Sequence, residues 1–202
     1  MNYSTNVQRP SANDALKILI VGNVGSGKTT AISAVSEIQV VKSEAKATEQ
    51  DALYRKDTTT VAMDYGVVNI DTTKVHIYGT PGQRRFEFMA EIVSKGAAGM
   101  IVMIDNGYPE PLTEVDYFLQ RHHGYLKKHP AIIAITHYDD NNTETNLIEY
   151  HGYLRKNGFP CAIMRLDARD KHQVRRVIEK LCHEIKKRPG LDKELSRGEK
   201  VS

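Results

Sequence analysis

The chain has 202 residues, of which 26% are charged and 40% hydrophobic, and its formal net charge is +3 at pH 7. This length suits one domain with a sizeable core, and so small an excess of dispersed positive charge argues against a nucleic-acid-binding protein. We therefore expect no nucleic-acid partner. The two cysteines, Cys161 and Cys182, lie outside any C-x-x-C spacing, so we expect reduced thiols in a cytoplasmic protein.

Membrane attachment is also not expected. No apolar run approaches the ~18 residues of a membrane-spanning helix, and residues 1–9 lack the apolar segment of a signal peptide. Asn2 excludes N-myristoylation, and no C-terminal cysteine is present for prenylation. We expect a protein without an intrinsic membrane anchor, in which a flexible N-terminus (1–13) precedes one domain (14–187) and a disordered charged tail (188–202) follows it.

Apolar runs alternate with amphipathic segments along the chain. Strands are predicted at 16–21, 61–70, 74–78, 99–105, 131–136 and 161–166. Helices are predicted at 28–38, 82–95, 112–126, 147–154 and 174–185. Residues 39–57 show no clear period and are predicted to form a long loop.

The alternation of strands and helices predicts an α/β fold. Such a fold has a mostly parallel sheet, here six-stranded, with helices on both faces. The short turn at 71–73 makes strands 61–70 and 74–78 an antiparallel hairpin, so one strand should run against the others. Ligands of such sheets bind at the carboxyl ends of the strands.

A glycine-rich loop follows the first strand. Residues 22–29 fit G-x-x-x-x-G-K-[ST] at every fixed position, between a strand and a helix, which is the context that the phosphate-binding P-loop requires. Lys28 can reach the β- and γ-phosphates, and the Thr29 hydroxyl can bind Mg²⁺. The fold is therefore predicted to be that of a P-loop NTPase. The predicted phosphate-binding residues of this loop are Gly22, Asn23, Val24, Gly25, Ser26, Gly27, Lys28, Thr29 and Thr30.

Four further segments stand beside predicted strands. They are Thr-Thr-Thr at 58–60, Gly-Thr-Pro-Gly-Gln at 79–83, Thr-His-Tyr-Asp at 136–139 and Asp-Ala-Arg at 167–169. Together with the P-loop, they have the order and spacing of the five motifs of Ras-like small GTPases, which residues 14–187 resemble. The segments TTTVAMDYG and YGTPGQRRF look like the bacterial branch related to the gliding-motility protein MglA and to the GTPases of Streptomyces conservons.

The resemblance implies a GTP/GDP molecular switch with slow, Mg²⁺-dependent GTP hydrolysis. Gly82 would offer its N–H to the γ-phosphate, Gln83 would orient the attacking water, and Thr59 would bind Mg²⁺. In the bacterial branch the usual partners are small dimeric roadblock-fold proteins, often acting as regulators. The residues at base-binding positions are Thr136, His137, Asp139, Ala168 and Arg169.

The base-binding motifs depart from the family pattern. The Asn and Lys of N-K-x-D align with Thr136 and His137, and the Ser and Lys of S-A-K align with Asp167 and Arg169. Asp139 alone keeps a side chain that can accept hydrogen bonds from guanine N1 and the exocyclic amine. Asp139 could instead simply begin a polar turn.

The metal site departs as well. The Walker B aspartate, which holds a magnesium-bound water, aligns with Gly79. Asp64 is the best replacement, because it lies in an otherwise apolar strand that the hairpin brings beside 74–78, and Mg²⁺-bound waters need acceptors. The alternative is that Asp64 is an outward-facing strand residue in water.

Other interpretations remain open. Gln83 could be only a helix-starting residue, and Arg84 and Arg85 could be solvated charges rather than an internal arginine finger. A nucleotide-binding adaptor without useful hydrolysis is the main alternative function, favoured by Gly79. A metabolic kinase would need a second substrate site, for which little of the chain remains.

Overall fold

The structure is a computed structural model, and it describes residues 15–47, 59–83, 88–138 and 143–187. The predicted flexible N-terminus and charged tail lie outside these residues, as do Arg84, Arg85 and Asp139.

One sheet organises the described part of the chain. Its strands are β1 (Ala15–Val21), β2 (Val41–Ala47), β3 (Thr59–Ile70), β4 (Thr73–Gly79), β5 (Gly99–Asp105), β6 (Ala131–Thr136) and β7 (Ala162–Arg165). Their order across the sheet is β2-β3-β4-β1-β5-β6-β7. β3 runs antiparallel to β2 and β4, and the remaining pairs are parallel. The α/β class and the single antiparallel strand are confirmed.

The strand β2 corrects the sequence-based expectation for residues 39–57. Residues 41–47 were predicted to lie in a loop, but they pair with residues 59–65 of β3 and extend the predicted sheet to seven strands. The segment Val-Lys-Ser-Glu-Ala-Lys-Ala does alternate, with charged residues at every second position, but Val41 is its only large apolar residue, so its hydrophobic signal is weak, as an edge strand allows.

Helices connect the strands. They are α1 (Lys28–Val35), α2 (Phe88–Ser94), α3 (Pro111–Arg121), α4 (His123–Leu126), α5 (Thr143–Lys156) and α6 (Lys171–Lys186). The helix predicted at 82–95 was placed too early, because Gly82 and Gln83 lie in a bend. The helix predicted at 112–126 is divided at His122 into α3 and α4. Among the described helices, none has the length and apolar character of a membrane span.

The core lies on both faces of the sheet. Ile18 and Ile20 of β1 pack with the buried faces of α1 and α6, whereas Leu19 and Val21 pack with those of α2, α3 and α5. This alternation follows from the two-residue period of a strand. β1 is thus covered on both sides, and its carboxyl end opens into the glycine-rich loop at the edge where β4, β5 and β6 also end.

Candidate nucleotide-binding site

The glycine-rich loop holds Lys28 against its own backbone. The Lys28 Nζ donates to the carbonyl oxygens of Gly22 at 2.8 Å and Asn23 at 2.6 Å, and it lies 3.3 Å from Ser26 Oγ. Lys28 is only 8% exposed, and burial lowers its pKa to about 8, although the charges of Asp64 and Glu114 oppose that shift. The ammonium group is therefore fixed in place at the start of α1, beside the N–H groups that would receive a phosphate.

Gly27 joins the loop to α1 and also contacts the opposite side of the site. It has a left-handed backbone with φ of 91°, which favours glycine, and it is the N-cap of α1. A Cβ at this position would stand 2.9 Å from the Ala168 Cβ. The phosphate loop therefore packs directly on the 167–169 segment, so two of the predicted motifs are adjacent.

Gly82 brings a third motif to the loop. A Cβ at Gly82 would stand 2.5 Å from the Val24 N and 2.7 Å from the Asn23 carbonyl carbon. No larger residue fits without moving the backbone of one of the two segments. Gln83 follows in the same bend with an exposed side chain. The predicted γ-phosphate contact and the predicted water-orienting residue thus lie at the edge of the phosphate loop.

Asp64 lies beside Thr29 and Gly79. The Thr29 Oγ1 donates a hydrogen bond to the Asp64 Oδ2, and Asp64 is the register partner of Gly79 across β3 and β4. A Cβ at Gly79 would stand 3.3 Å from the Asp64 Cβ and 3.6 Å from its Oδ2. The Asp64 carboxylate therefore lies beside Thr29, in the space where a side chain at position 79 would also lie.

Two predicted binding residues, Thr59 and Asp139, have side chains outside the described part of the structure. Thr59 is the first residue of β3, so its backbone belongs to the sheet, but its side chain lies outside the described part of the structure. Asp139 lies outside the described residues altogether. Their predicted roles in binding Mg²⁺ and guanine stay predictions.

The base-binding positions that the structure describes border one open cavity of about 640 Å³, a size that suits a nucleotide base and sugar. The cavity wall is formed partly by the loop around Gly25 and partly by the segments after β6 and β7. Its described lining includes, among the predicted site residues, Gly25, Gly27, Thr30, Thr136, His137, Ala168 and Arg169.

Thr136 and His137 hold the base-side segment against its neighbours. The Thr136 Oγ1 lies 3.2 Å from the carbonyl oxygen of Ser26 and 3.1 Å from that of Ile104, so it ties β6 to the phosphate loop. His137 has a left-handed backbone with φ of 51°, and its Nδ1 lies 3.0 Å from Asp105 Oδ1. Both side chains therefore bind protein groups at the margin of the cavity.

Arg169 is paired with Asp167 in the same segment. The Arg169 Nε and Nη2 donate to the two Asp167 carboxylate oxygens at 3.0 and 2.8 Å, and its backbone N–H donates at 2.9 Å. These hydrogen bonds lower the Asp167 pKa to about 2. Arg169 is also a highly exposed side chain. The pair stabilises the segment and uses two of the five N–H donors of the Arg169 guanidinium.

Three residues at the site were not predicted from the sequence. Arg165 stacks its guanidinium on the Tyr138 ring at 4.6 Å, and both line the cavity. Glu114 in α3 is 5% exposed, and the backbone N–H groups of Asn23 and Asp105 lie close enough to its carboxylate to oppose the effect of burial on its pKa. Burial raises the Glu114 pKa. In the sequence, the one sign that Glu114 could be a site residue is its place in the predicted amphipathic helix at 112–126. No local pattern points to Arg165.

Comparison with known proteins agrees with this geometry. The profile of the family described as "Ras of Complex, Roc, domain of DAPkinase" matches residues 17–139. An uncharacterized protein of Methanocaldococcus jannaschii is 36% identical over 92 residues, which is 46% of this chain and 52% of that protein. The match thus spans about half the length of that relative.

Full-length similarity extends to Ras-related proteins. The Rab-18 protein of Lymnaea stagnalis is 25% identical over 87% of this chain and 83% of its own, and Rab-18-B of Danio rerio is 24% identical over 87% and 82%. A solved bacterial selenocysteine-specific elongation factor EF-Sec shares the fold, with a TM-score of 0.59 and 18% identity over 83% of this chain and 28% of that one. Because the Roc profile covers more than half of the chain and the phosphate loop has its expected geometry, the chain belongs to the Roc family of Ras-like small GTPases.

Proposed function

We propose that this protein is a GTP/GDP molecular switch that hydrolyses GTP slowly to GDP and phosphate in the presence of Mg²⁺. The observation that carries the proposal is the packing of Gly82 on Asn23 and Val24. Because Gly82 lies at the proposed phosphate-binding loop, its backbone N–H can donate a hydrogen bond to the γ-phosphate of GTP. GDP has no γ-phosphate and cannot accept this bond. Loss of that phosphate would release the segment, as in switch proteins generally.

The phosphate loop supplies the binding energy in this proposal. Lys28 presents its ammonium group at the loop, and the first turn of α1 adds N–H donors and the positive end of a helix dipole. The Lys28 ammonium is already held by hydrogen bonds to the loop backbone, so little reorganisation is needed when the anion binds. Gln83, exposed at the edge of the loop, is the proposed group that orients the attacking water.

The side chains near Thr29 fit a magnesium ion. A hydroxyl oxygen and a carboxylate oxygen lie together there, and oxygen ligands of this kind suit Mg²⁺ and its bound waters. We propose that Thr29, Thr59 and Asp64 hold the ion, Asp64 in place of the missing carboxylate at Gly79. The ion, when bound, would neutralise charge on the β- and γ-phosphates.

In this proposal guanine is recognised through a reduced motif. Thr136 ties the segment to the phosphate loop, and Ala168 borders the cavity. We propose that Asp139 accepts the two guanine N–H groups. The second candidate function, an adaptor that binds nucleotide without useful hydrolysis, is favoured by Gly79 alone.

We also propose a branch within the family and a partner protein. We propose membership of the bacterial branch related to MglA, on the resemblance of residues 58–66 and 78–86, and a dimeric roadblock-fold protein as regulator. Co-elution of such a protein with the GTP-bound form, and not with the GDP-bound form, would support it. Equal co-elution with both forms would contradict it.

Titration of the nucleotide-stripped protein with GTP, GDP and ATP in Mg²⁺ tests the proposed function. We expect both guanine nucleotides to bind and ATP to bind at least about 100-fold more weakly, since base-edge hydrogen bonds decide the difference. Equal affinity for GTP and ATP would contradict the switch. Binding of GTP without release of phosphate, in a single-turnover assay, would favour the adaptor.

A further inference from the structure

The base cavity contains a charged group that the family motifs do not assign. Arg165 is the last residue of β7, and its guanidinium carbon stands 4.6 Å from the centre of the Tyr138 ring. Arg165 and Tyr138 both line the 640 Å³ cavity together with Ala168. The stack holds the guanidinium plane in a defined orientation at that wall, because Arg on an aromatic face is attracted electrostatically.

Several other polar side chains of this wall form hydrogen bonds within the protein. Asp167 accepts three hydrogen bonds from Arg169, and the Thr136 hydroxyl binds backbone carbonyls. The Gln173 amide oxygen accepts from the Asp167 N–H, and its nitrogen donates to Asp170. These groups build the cavity wall and have little capacity left for a ligand.

Arg165 differs from them in having no polar partner within the described part of the chain. Its interaction there is the stack on Tyr138, which leaves five N–H donors unused by the described residues. We place the purine of a bound nucleotide in this cavity with its 6-substituent toward the end of β7, where Arg165 lies. A 6-oxo group accepts hydrogen bonds, whereas a 6-amino group donates them and would oppose a guanidinium.

We propose that Arg165, held by Tyr138, donates to the 6-oxo group of the bound purine and selects guanine against 6-aminopurines. The proposal rests on the proposed function and adds a residue that reads position 6 of the base, next to the N1 and 2-amino groups assigned to Asp139.

The test compares three nucleoside diphosphates on the full-length, nucleotide-stripped protein. They are GDP, inosine diphosphate and the diphosphate of 2,6-diaminopurine riboside, which carries an amine in place of the 6-oxo group and therefore no proton on N1. The loss at N1 is the same for the wild-type protein and the Arg165 variant, so the change in preference between them reports on position 6. The wild-type protein should bind GDP more tightly than the diaminopurine nucleotide. In Arg165→Met, which keeps an apolar side chain on Tyr138 but removes the donors, that preference should fall by roughly tenfold or more, the loss expected for one charged hydrogen bond.

Two comparisons separate this role from a general one. The ratio of GDP to inosine diphosphate affinity should not change in Arg165→Met, because these bases differ only at position 2. Arg176→Met, at an arginine of the adjoining groove that does not line the base cavity, should leave all three affinities unchanged.

The outcomes are distinct. An unchanged preference between GDP and the diaminopurine nucleotide in Arg165→Met overturns the proposal, as does an equal loss in Arg176→Met. A wild-type protein that binds ADP as tightly as GDP contradicts the proposed function itself, whatever the Arg165 variant does. A fall in preference confined to Arg165→Met supports both.

Discussion

Asp64 and Gly79 face each other across the antiparallel pair of β3 and β4, and the Asp64 carboxylate accepts a hydrogen bond from Thr29. The strand that normally supplies the metal-site carboxylate in Ras-like proteins here ends in a residue without a side chain. The neighbouring strand supplies a carboxylate at the same height. The site therefore keeps one carboxylate beside Thr29, although the familiar sequence position has lost it.

Asp64→Ala should weaken GTP binding in Mg²⁺ by about 10- to 100-fold, which is the usual cost of losing a group that orients a metal ligand. Binding in EDTA should change little, because the phosphate loop is intact. Fluorescence titration in the two buffers measures this. The double variant Asp64→Ala/Gly79→Asp returns a carboxylate from the other strand and should recover part of the Mg²⁺ effect.

Equal losses in Mg²⁺ and in EDTA would remove Asp64 from the metal site. The glycine at position 79 would then indicate a degenerate GTPase rather than a relocated ligand.

Lys28→Ala should reduce nucleotide affinity by roughly 100-fold or more, since a charged donor to the phosphates is lost. The fold should persist because alanine suits the first turn of a helix. Titration with a fluorescent nucleotide and thermal melting check both parts. Lys180→Ala, an exchange on the outer face of α6, is the control. Near-normal affinity in Lys28→Ala would reject the site.

The register of the β3–β4 hairpin, which pairs Asp64 with Gly79, could have been predicted from the sequence. The turn at Asp71 and Thr72 has two residues, and Asp71 has a positive φ of 53°, as tight hairpin turns require. A two-residue turn fixes the register of every later pair. The sequence predicted the hairpin but assigned three residues to its turn, so it placed Asp64 near β4 without identifying its partner.

Other features could not be predicted because they depend on distant contacts. The strand β2 is defined by its pairing with β3, because its segment contains only one large apolar residue and gives little hydrophobic signal of its own. The stack of Arg165 on Tyr138 joins the ends of β7 and β6, which no local pattern connects. In contrast, the fully apolar strands β5 and β6 were predicted with their observed bounds, since continuous burial leaves a clear signal.

Gln83→Leu should slow intrinsic GTP hydrolysis, which we expect to be on the order of 10⁻⁴ to 10⁻² s⁻¹ in the unassisted protein. The loss should be roughly 10- to 100-fold, because the attacking water is no longer oriented. Single-turnover phosphate release is the measurement, with Gln120→Leu on the exposed side of α3 as control. If Gln83→Leu hydrolyses as fast as the parent, another residue positions the water.

Asp170→Ala should lower the melting temperature by about 2–4 °C, the shift expected for one lost helix cap in a domain of this size. Asp170 caps α6 by accepting from the N–H groups of His172 and Gln173, and these bonds lower its pKa. A lowered folded-state pKa means that the stabilisation is present above the unfolded-state pKa and is lost as the pH falls.

Asp170→Asn is the matched control, because asparagine caps about as well but does not titrate. Thermal melts from pH 7 downward should therefore show the parent protein losing its advantage over Asp170→Ala below about pH 4, near the ordinary aspartate value, while Asp170→Asn keeps it. A constant difference between the parent and Asp170→Ala at every pH would show that the Asp170 charge has no part in the cap.

The nucleotide that remains bound through purification shows whether this protein is a guanine-nucleotide switch. The protein would be purified in Mg²⁺, denatured, and the released nucleotide identified by chromatography. We expect GDP, because slow hydrolysis in a tight phosphate loop leaves the product bound there. An adenine nucleotide in that position, or a protein that stays nucleotide-free when GDP is added in large excess, would contradict it.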